Sequence, residues 1–143
     1  MASNMKHREF VVIRNLPLIG ETLQAVQFDV SVVLYFGVER EYRLRILEQE
    51  FELHTGAGDE TVQIRYSAWE GSPVASNGLP ELVSLINQPV RRSRSLDGQL
   101  AVEFDLDYQI VVKPGGQYES WSIEGPVETI FCLGNGKISV ARN

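Results

Sequence analysis

The stretch LIGETLQAVQFDVSVVLYF, Leu18 to Phe36, returns later in the chain as LINQPVRRSRSLDGQLAVEF, Leu85 to Phe104. Leu18 and Ile19 lie on Leu85 and Ile86, Asp29 on Asp97, and Phe36 on Phe104. The likeness continues beyond both stretches. Tyr42-Arg43-Leu44-Arg45-Ile46 lies on Tyr108-Gln109-Ile110-Val111-Val112, Phe51-Glu52 on Tyr118-Glu119, and Glu60-Thr61-Val62 on Glu128-Thr129-Ile130. The spacing is about 67 residues throughout, with one-residue slips where loops absorb them. A fixed self-similarity decides the fold before any single segment does. Two units are expected, about 16–66 and 83–141, with a linker at about 67–78 rich in turn residues.

Each unit reads as strands. Val30 to Phe36 and Gln99 to Phe104 are short runs of β-branched and aromatic residues. Tyr42, Leu44 and Ile46 alternate with Arg43 and Arg45, the period of a half-buried strand, and Tyr108, Ile110 and Val112 repeat it. Asp97-Gly98 predicts a tight hairpin between Pro89–Leu96 and Gln99–Asp105. Pro114-Gly115-Gly116 and Gly134-Asn135-Gly136 predict turns, the latter before a last strand over 137–141. One short helix is predicted over 79–86, with Pro80 in its first turn and Asn77 as a cap. The expected fold is mainly β: two tandem antiparallel meanders related by an internal pseudo-symmetry, plus that helix.

A length of 143 residues fits one domain. The apolar fraction of 43% and charged fraction of 22% are those of an ordinary globular chain. The first residues, 1–7, read as disordered. The N-terminus lacks the apolar core of a signal peptide, and the longest apolar run, Val32 to Phe36, is far too short to span a bilayer, so a cytoplasmic location is expected and no membrane partner. The single cysteine, Cys132, sits in Thr129-Ile130-Phe131-Cys132-Leu133 without a basic residue near it, which predicts a buried, inert thiol. Net charge is −6, and the one basic cluster is Arg91-Arg92-Ser93-Arg94. That predicts a salt-bridged face rather than a nucleic-acid site, and the acidic balance favours a partner with a basic surface.

Catalytic chemistry has little to stand on. The two histidines are His7 and His54, far apart in the chain. Neither a nucleophile elbow, a zinc-binding helix, a phosphate loop nor a dinucleotide fingerprint is present. One cysteine and two separated histidines do not make a zinc site, and no aspartate series has the spacing of a calcium loop. No cofactor is expected. Glu48, Glu50 and Glu52 share one face of a strand whose other face carries Phe51 and Leu53. The repeat sets Glu52 and Glu119 at matching places, either as a shared salt bridge with Arg43, Arg45 or Lys113, or as a ligand contact. Tyr118 falls on Phe51 and reads as shared core. Trp121 falls on His54 and has no matching aromatic, so it covers either the interior or a partner.

The second unit has a recognisable order: Asp97-Gly98-x-Leu100-x-Val102-x-Phe104, then Tyr108 to Val112, Pro114-Gly115, and Tyr118-Glu119-x-Trp121-x-Ile123-x-Gly125-Pro126. It resembles a mainly actinobacterial domain family of unknown function with a Tyr-Glu-x-Trp and Gly-Pro signature, over about residues 16–140. The resemblance implies no activity, cofactor or catalytic residue. Small acidic bacterial proteins of this general kind include immunity proteins and accessory binders. Two readings follow. The first is a non-enzymatic protein-binding module, an immunity-type inhibitor or a scaffold, able to self-associate as a homodimer. The second is a small-molecule binder or enzyme using a cleft between the units, with Glu52, His54, Tyr118, Glu119 and Trp121 as the residues to inspect.

Overall fold

The computed structural model describes residues 13–56, 60–69, 75–115 and 118–143. The N-terminal stretch 1–7 and the middle of the expected linker lie outside these. Twelve strands form two antiparallel six-stranded sheets. The first half of the chain supplies β1 (Ile13–Asn15), β2 (Leu23–Phe28), β3 (Val32–Phe36), β4 (Tyr42–Ile46), β5 (Glu50–Thr55) and β6 (Glu60–Arg65). After the helix α1 (Leu79–Val83) come β7 (Val90–Leu96), β8 (Gln99–Phe104), β9 (Gln109–Val112), β10 (Trp121–Glu124), β11 (Glu128–Cys132) and β12 (Ile138–Arg142). Sheet I has the order β1-β7-β8-β9-β5-β6, and sheet II the order β12-β11-β10-β4-β3-β2.

The mainly-β expectation holds, but the meanders are not tandem. Each sheet takes three strands from each half of the chain. The residues 47–49 carry the chain from sheet II to sheet I, and the segment after Val112 carries it back. The physical reason is the open edge of each three-stranded meander. β4 would be bare on one side without β10, and β9 without β5. The hairpin β5–β6 fills one gap and β10–β11 fills the other.

The registers of the two sheets correspond strand for strand. Leu34 faces Leu44 in sheet II, and Val102 faces Ile110 in sheet I, at shifts of 68 and 66 residues. The β2–β3 pairing is interrupted between Leu23 and Ala25, and the β7–β8 pairing between Val90 and Arg92, a shift of 67. Where the halves meet, Thr22 bridges Pro89. Around that bridge Leu23 N donates to Gln88 O at 3.0 Å, and Val90 N to Glu21 O at 2.8 Å. Gly20 N donates to Val90 O and Asn87 N to Leu23 O, both at 2.8 Å. Phe36 and Phe104 stack beside this junction, with centroids 6.3 Å apart.

The same registers correct one alignment. Leu44 faces Ile123 across β4–β10, and Ile110 faces Leu53 across β9–β5. Leu53 therefore corresponds to Ile123, and Phe51 to Trp121. Both aromatics point inward and are buried, whereas Tyr118 is 81% exposed. The sequence match Phe51-Glu52 with Tyr118-Glu119 is three residues out, because the crossing before β10 is longer than the one before β5. In register, Phe51 thus holds the place in sheet I that Trp121 holds in sheet II.

The inner faces meet in one hydrophobic cluster that takes Leu34, Leu44 and Ile123 from sheet II and Leu53, Val102 and Ile110 from sheet I. Burying a side chain of this size stabilises the fold by about 1.5–3 kcal/mol each. The helix is shorter than expected. It starts at Gly78, whose φ of +75° suits glycine, and ends at the cap Ser84. Asn77 does not cap it; its side chain donates to Gln63 O at 2.7 Å. Beyond Ser84 the chain tightens into three-residue turns up to Asn87, at φ +77°. Pro89 then disfavours helix at Gln88. No described helix is long and apolar enough to cross a membrane.

Candidate partner-binding face

The five residues singled out from the sequence do not gather at one place. Trp121 is fully buried, and its indole Nε1 donates to Gly98 O at 2.9 Å. Cys132 Sγ lies 3.3 Å from the same oxygen. Burial, and then the charges of Glu119 and Glu48, push the thiol up to about 11. The inert-thiol expectation rested on burial and the lack of a nearby basic residue; the nearby carboxylates add to it.

Glu52 and His54 stand on the outer face of sheet I. His54 Nε2 lies 3.0 Å from Glu52 Oε1, and Lys113 Nζ lies 3.6 Å from Oε2. The hydrogen bond to His54, against some desolvation and with help from Lys113, holds the Glu52 carboxyl below its ordinary value. Of the basic partners anticipated for Glu52, Lys113 is the one in place. Tyr118 and Glu119 lie just before β10, at one end of sheet II. Burial raises the Glu119 carboxyl above its ordinary value, with Arg45 opposing. The described cavities are lined by other residues. The widest, about 530 Å³, lies between the Asp97-Gly98 turn and the Asn135–Lys137 turn. Among the described residues none of these cavities unites Glu52, His54, Tyr118, Glu119 and Trp121. Among the described residues no group of His, Cys, Asp or Glu could hold a metal ion.

The two outer sheet faces share a backbone layout and differ in chemistry. On sheet I the charges are paired across strands. Arg65 meets Glu50 at 3.0 Å, Arg92 meets Glu103 at 3.6 Å, and Arg91 meets Asp107 at 3.3 Å. This matches the expectation for the arginine cluster. Such pairs are worth little energy, about 0.2–1 kcal/mol each, and mark a solvated surface.

Sheet II presents another kind of surface. The cross-strand register aligns Tyr35, Arg43, Glu124 and Thr129 in one row, and Val33, Arg45, Ser122 and Phe131 in the next. Arg43 stacks on the Tyr35 ring, 5.4 Å from its centroid, and sits 3.7 Å from Glu124. Tyr35 Oη donates to Gln27 Oε1 at 2.6 Å, which pins the ring. Val33 and Ser122, in the middle, are nearly closed off although they point outward. Leu47 and Leu133 continue the outward alternation of β4 and β11 and are about 40% exposed. Aromatic residues and arginine are enriched in protein interfaces, while lysine and glutamate are depleted. Sequence reading missed this face because Arg43 and Arg45 look like ordinary solvent positions of an alternating strand. The run Val32-Val33-Leu34-Tyr35-Phe36, apolar on both faces, was the one available signal.

The sequence profile of a family of unknown function, DUF6188, matches residues 14–142. The chain belongs to that family. No curated protein and no solved structure was found to match it. Membership covers both sheets from β1 to β12, so the face just described lies wholly within the DUF6188 region. The family is one of unknown function.

Proposed function

We propose that this member of the family is a protein-binding module without catalysis of its own, acting as an inhibitor or scaffold through the outer face of sheet II. The observation that carries the reading is the contrast between two faces on matching backbones. One is laced with ion pairs; the other holds Tyr35, Phe131, Arg43 and Arg45 over a closed centre. Arg43 is balanced by Glu124 and Arg45 by Glu119, so contact there is governed by stacking and apolar burial. The net charge of −6 steers a basic partner toward the molecule, which affects the rate of encounter more than the strength of the complex. Tyr118 and Glu119, at the end of the same sheet, belong to the rim. The two halves are read as one duplicated unit whose C-terminal hairpins have changed places, which supplies two faces free to diverge.

The test compares three chains as affinity baits in the native host: wild type, Tyr35→Ser with Phe131→Ser, and Glu52→Gln with His54→Gln. A stoichiometric protein captured by the first and third and lost with the second supports the face on sheet II. Capture that ignores Tyr35 and Phe131, or the absence of any capture at low salt, refutes it.

A further inference from the structure

Among the described residues β12 is the bare edge of sheet II, hydrogen-bonded to β11 alone. Two bonds set which of its backbone groups are free. Leu133 N donates to Lys137 O at 2.7 Å, and Asn143 N donates to Val127 O at 2.9 Å. In an antiparallel ladder the inward residues alternate, so 137, 139, 141 and 143 turn toward β11. Ile138, Val140 and Arg142 therefore turn their N–H and C=O groups outward, away from the sheet. The strand pairs with β11 without a bulge, contains no proline and has no charge at its centre. Edges normally carry such devices against pairing. The sheet I edge β6 shows the contrast, because Asn77 closes its end through backbone bonds with Arg65.

The side chains of β12 are also unfinished. Ile138 and Val140 lie on the inner side, opposite Cys132 and Ile130. Ile130 is 1% exposed, but Val140 is 39% exposed, because the strand overhangs the core.

We infer that β12 pairs with β12 of a second copy of this chain, antiparallel, about a two-fold axis at Val140. Three features select this occupant and register. Centring on Val140 lets Ile138, Val140 and Arg142 all find partners in the other copy: Arg142, Val140 and Ile138 respectively. Centring on Ile138 would run the strand into the Asn135-Gly136 turn, and centring on Arg142 would oppose two arginines. Finally, Ile138 and Val140 of each copy cover those of the other, finishing the overhang. An edge that satisfies itself in this way makes an isologous, closed dimer. Sheet II then continues through the axis, and its outer face with Tyr35 and Phe131 appears twice on one surface. That last consequence rests on the binding role proposed above; the pairing itself does not.

Light scattering behind a sizing column, from micromolar to near-millimolar protein, reads the result directly. The wild type is expected at twice 16.1 kDa, with the monomer appearing on dilution. Val140→Pro removes an outward N–H and leaves the β11 ladder in place, so it should be a folded monomer. Should that variant unfold, cysteines decide the matter. Val140→Cys meets its own copy at the axis and should cross-link at least about tenfold faster than Ser139→Cys, which faces Ala141. A wild type that is monomeric at every concentration overturns the inference, as does a dimer indifferent to Val140→Pro or equal cross-linking of the two cysteine variants. Any of these results would mean the edge is bare or serves another chain. A monomeric Val140→Pro that still captures a partner through Tyr35 and Phe131 would leave the binding role standing by itself.

Discussion

Trp121 shows how much one side chain can carry at the residue scale. It fills the interior opposite Ile46 and satisfies the Gly98 carbonyl, which would otherwise depend on the weak Cys132 thiol. Trp121→Ala should cost about 3–5 kcal/mol of unfolding free energy in urea titration. Because Trp69 is 70% exposed and Trp121 is not, Trp69→Phe should leave a blue-shifted emission that moves red only on unfolding. The two carboxylates give opposite pH behaviour. Glu52 is held below its ordinary value of 4.5, so its ionised form stabilises the fold above that pH and the contribution fades as pH falls through the lowered value. Glu52→Gln should lower the melting temperature at neutral pH and match wild type in acid. Glu119 is raised above 4.5, so its neutral form is the favoured one, and its contribution is lost as pH rises through the folded value. Glu119→Gln should raise the melting temperature at neutral pH and lose that advantage below 4.5. The Cys132 thiol should resist alkylation at neutral pH until denaturant exposes it.

At the scale of elements, two turns hold the sheets together at one end. Gly98 and Gly136 pack so closely that a Cβ on Gly98 would stand 2.4 Å from Gly136 Cα. Both have φ near +85°, where side chains are strained. Asp97-Gly98 was legible as a hairpin and Gly134-Asn135-Gly136 as a turn. That each is also a packing surface for the other was not, since no local pattern records which loops will touch. Gly98→Ala and Gly136→Ala should each destabilise by more than about 1 kcal/mol, beyond the usual cost of a lost positive φ, because backbone must move. A double-mutant cycle should show that the two costs do not add. Sheet II offers a parallel lesson. Alternation in Tyr42 to Ile46 was legible, and so was the inward face it implied. The outward row Val33–Arg45–Ser122–Phe131 draws on four strands from both halves, and no window of sequence contains it.

For the whole molecule the sharing of both sheets between the two halves of the chain matters most. Each sheet needs strands from both halves, so neither half can close a core alone. Chains 1–69 and 75–143 expressed separately should show no cooperative unfolding transition, and should recover one, with native tryptophan emission, when mixed. Independent folding of either half would contradict that mutual dependence. Wild-type refolding should be slow for the chain's size, since β5 must find β9 and β10 must find β4 across long loops.

The sequence by itself determined the β class, the hairpin at Asp97-Gly98, the buried thiol and the absence of a recognisable catalytic motif. These follow from side-chain periodicity, turn chemistry and residue type, all of which act over a few neighbours. Only the tertiary structure decided that each sheet draws strands from both halves, that Trp121 is buried, that Tyr118 is on the surface, and that β12 is a bare edge among the described residues. Those outcomes depend on which edge meets which strand. Edge pairing is satisfied by backbone groups common to every residue, so side-chain pattern alone leaves it undetermined.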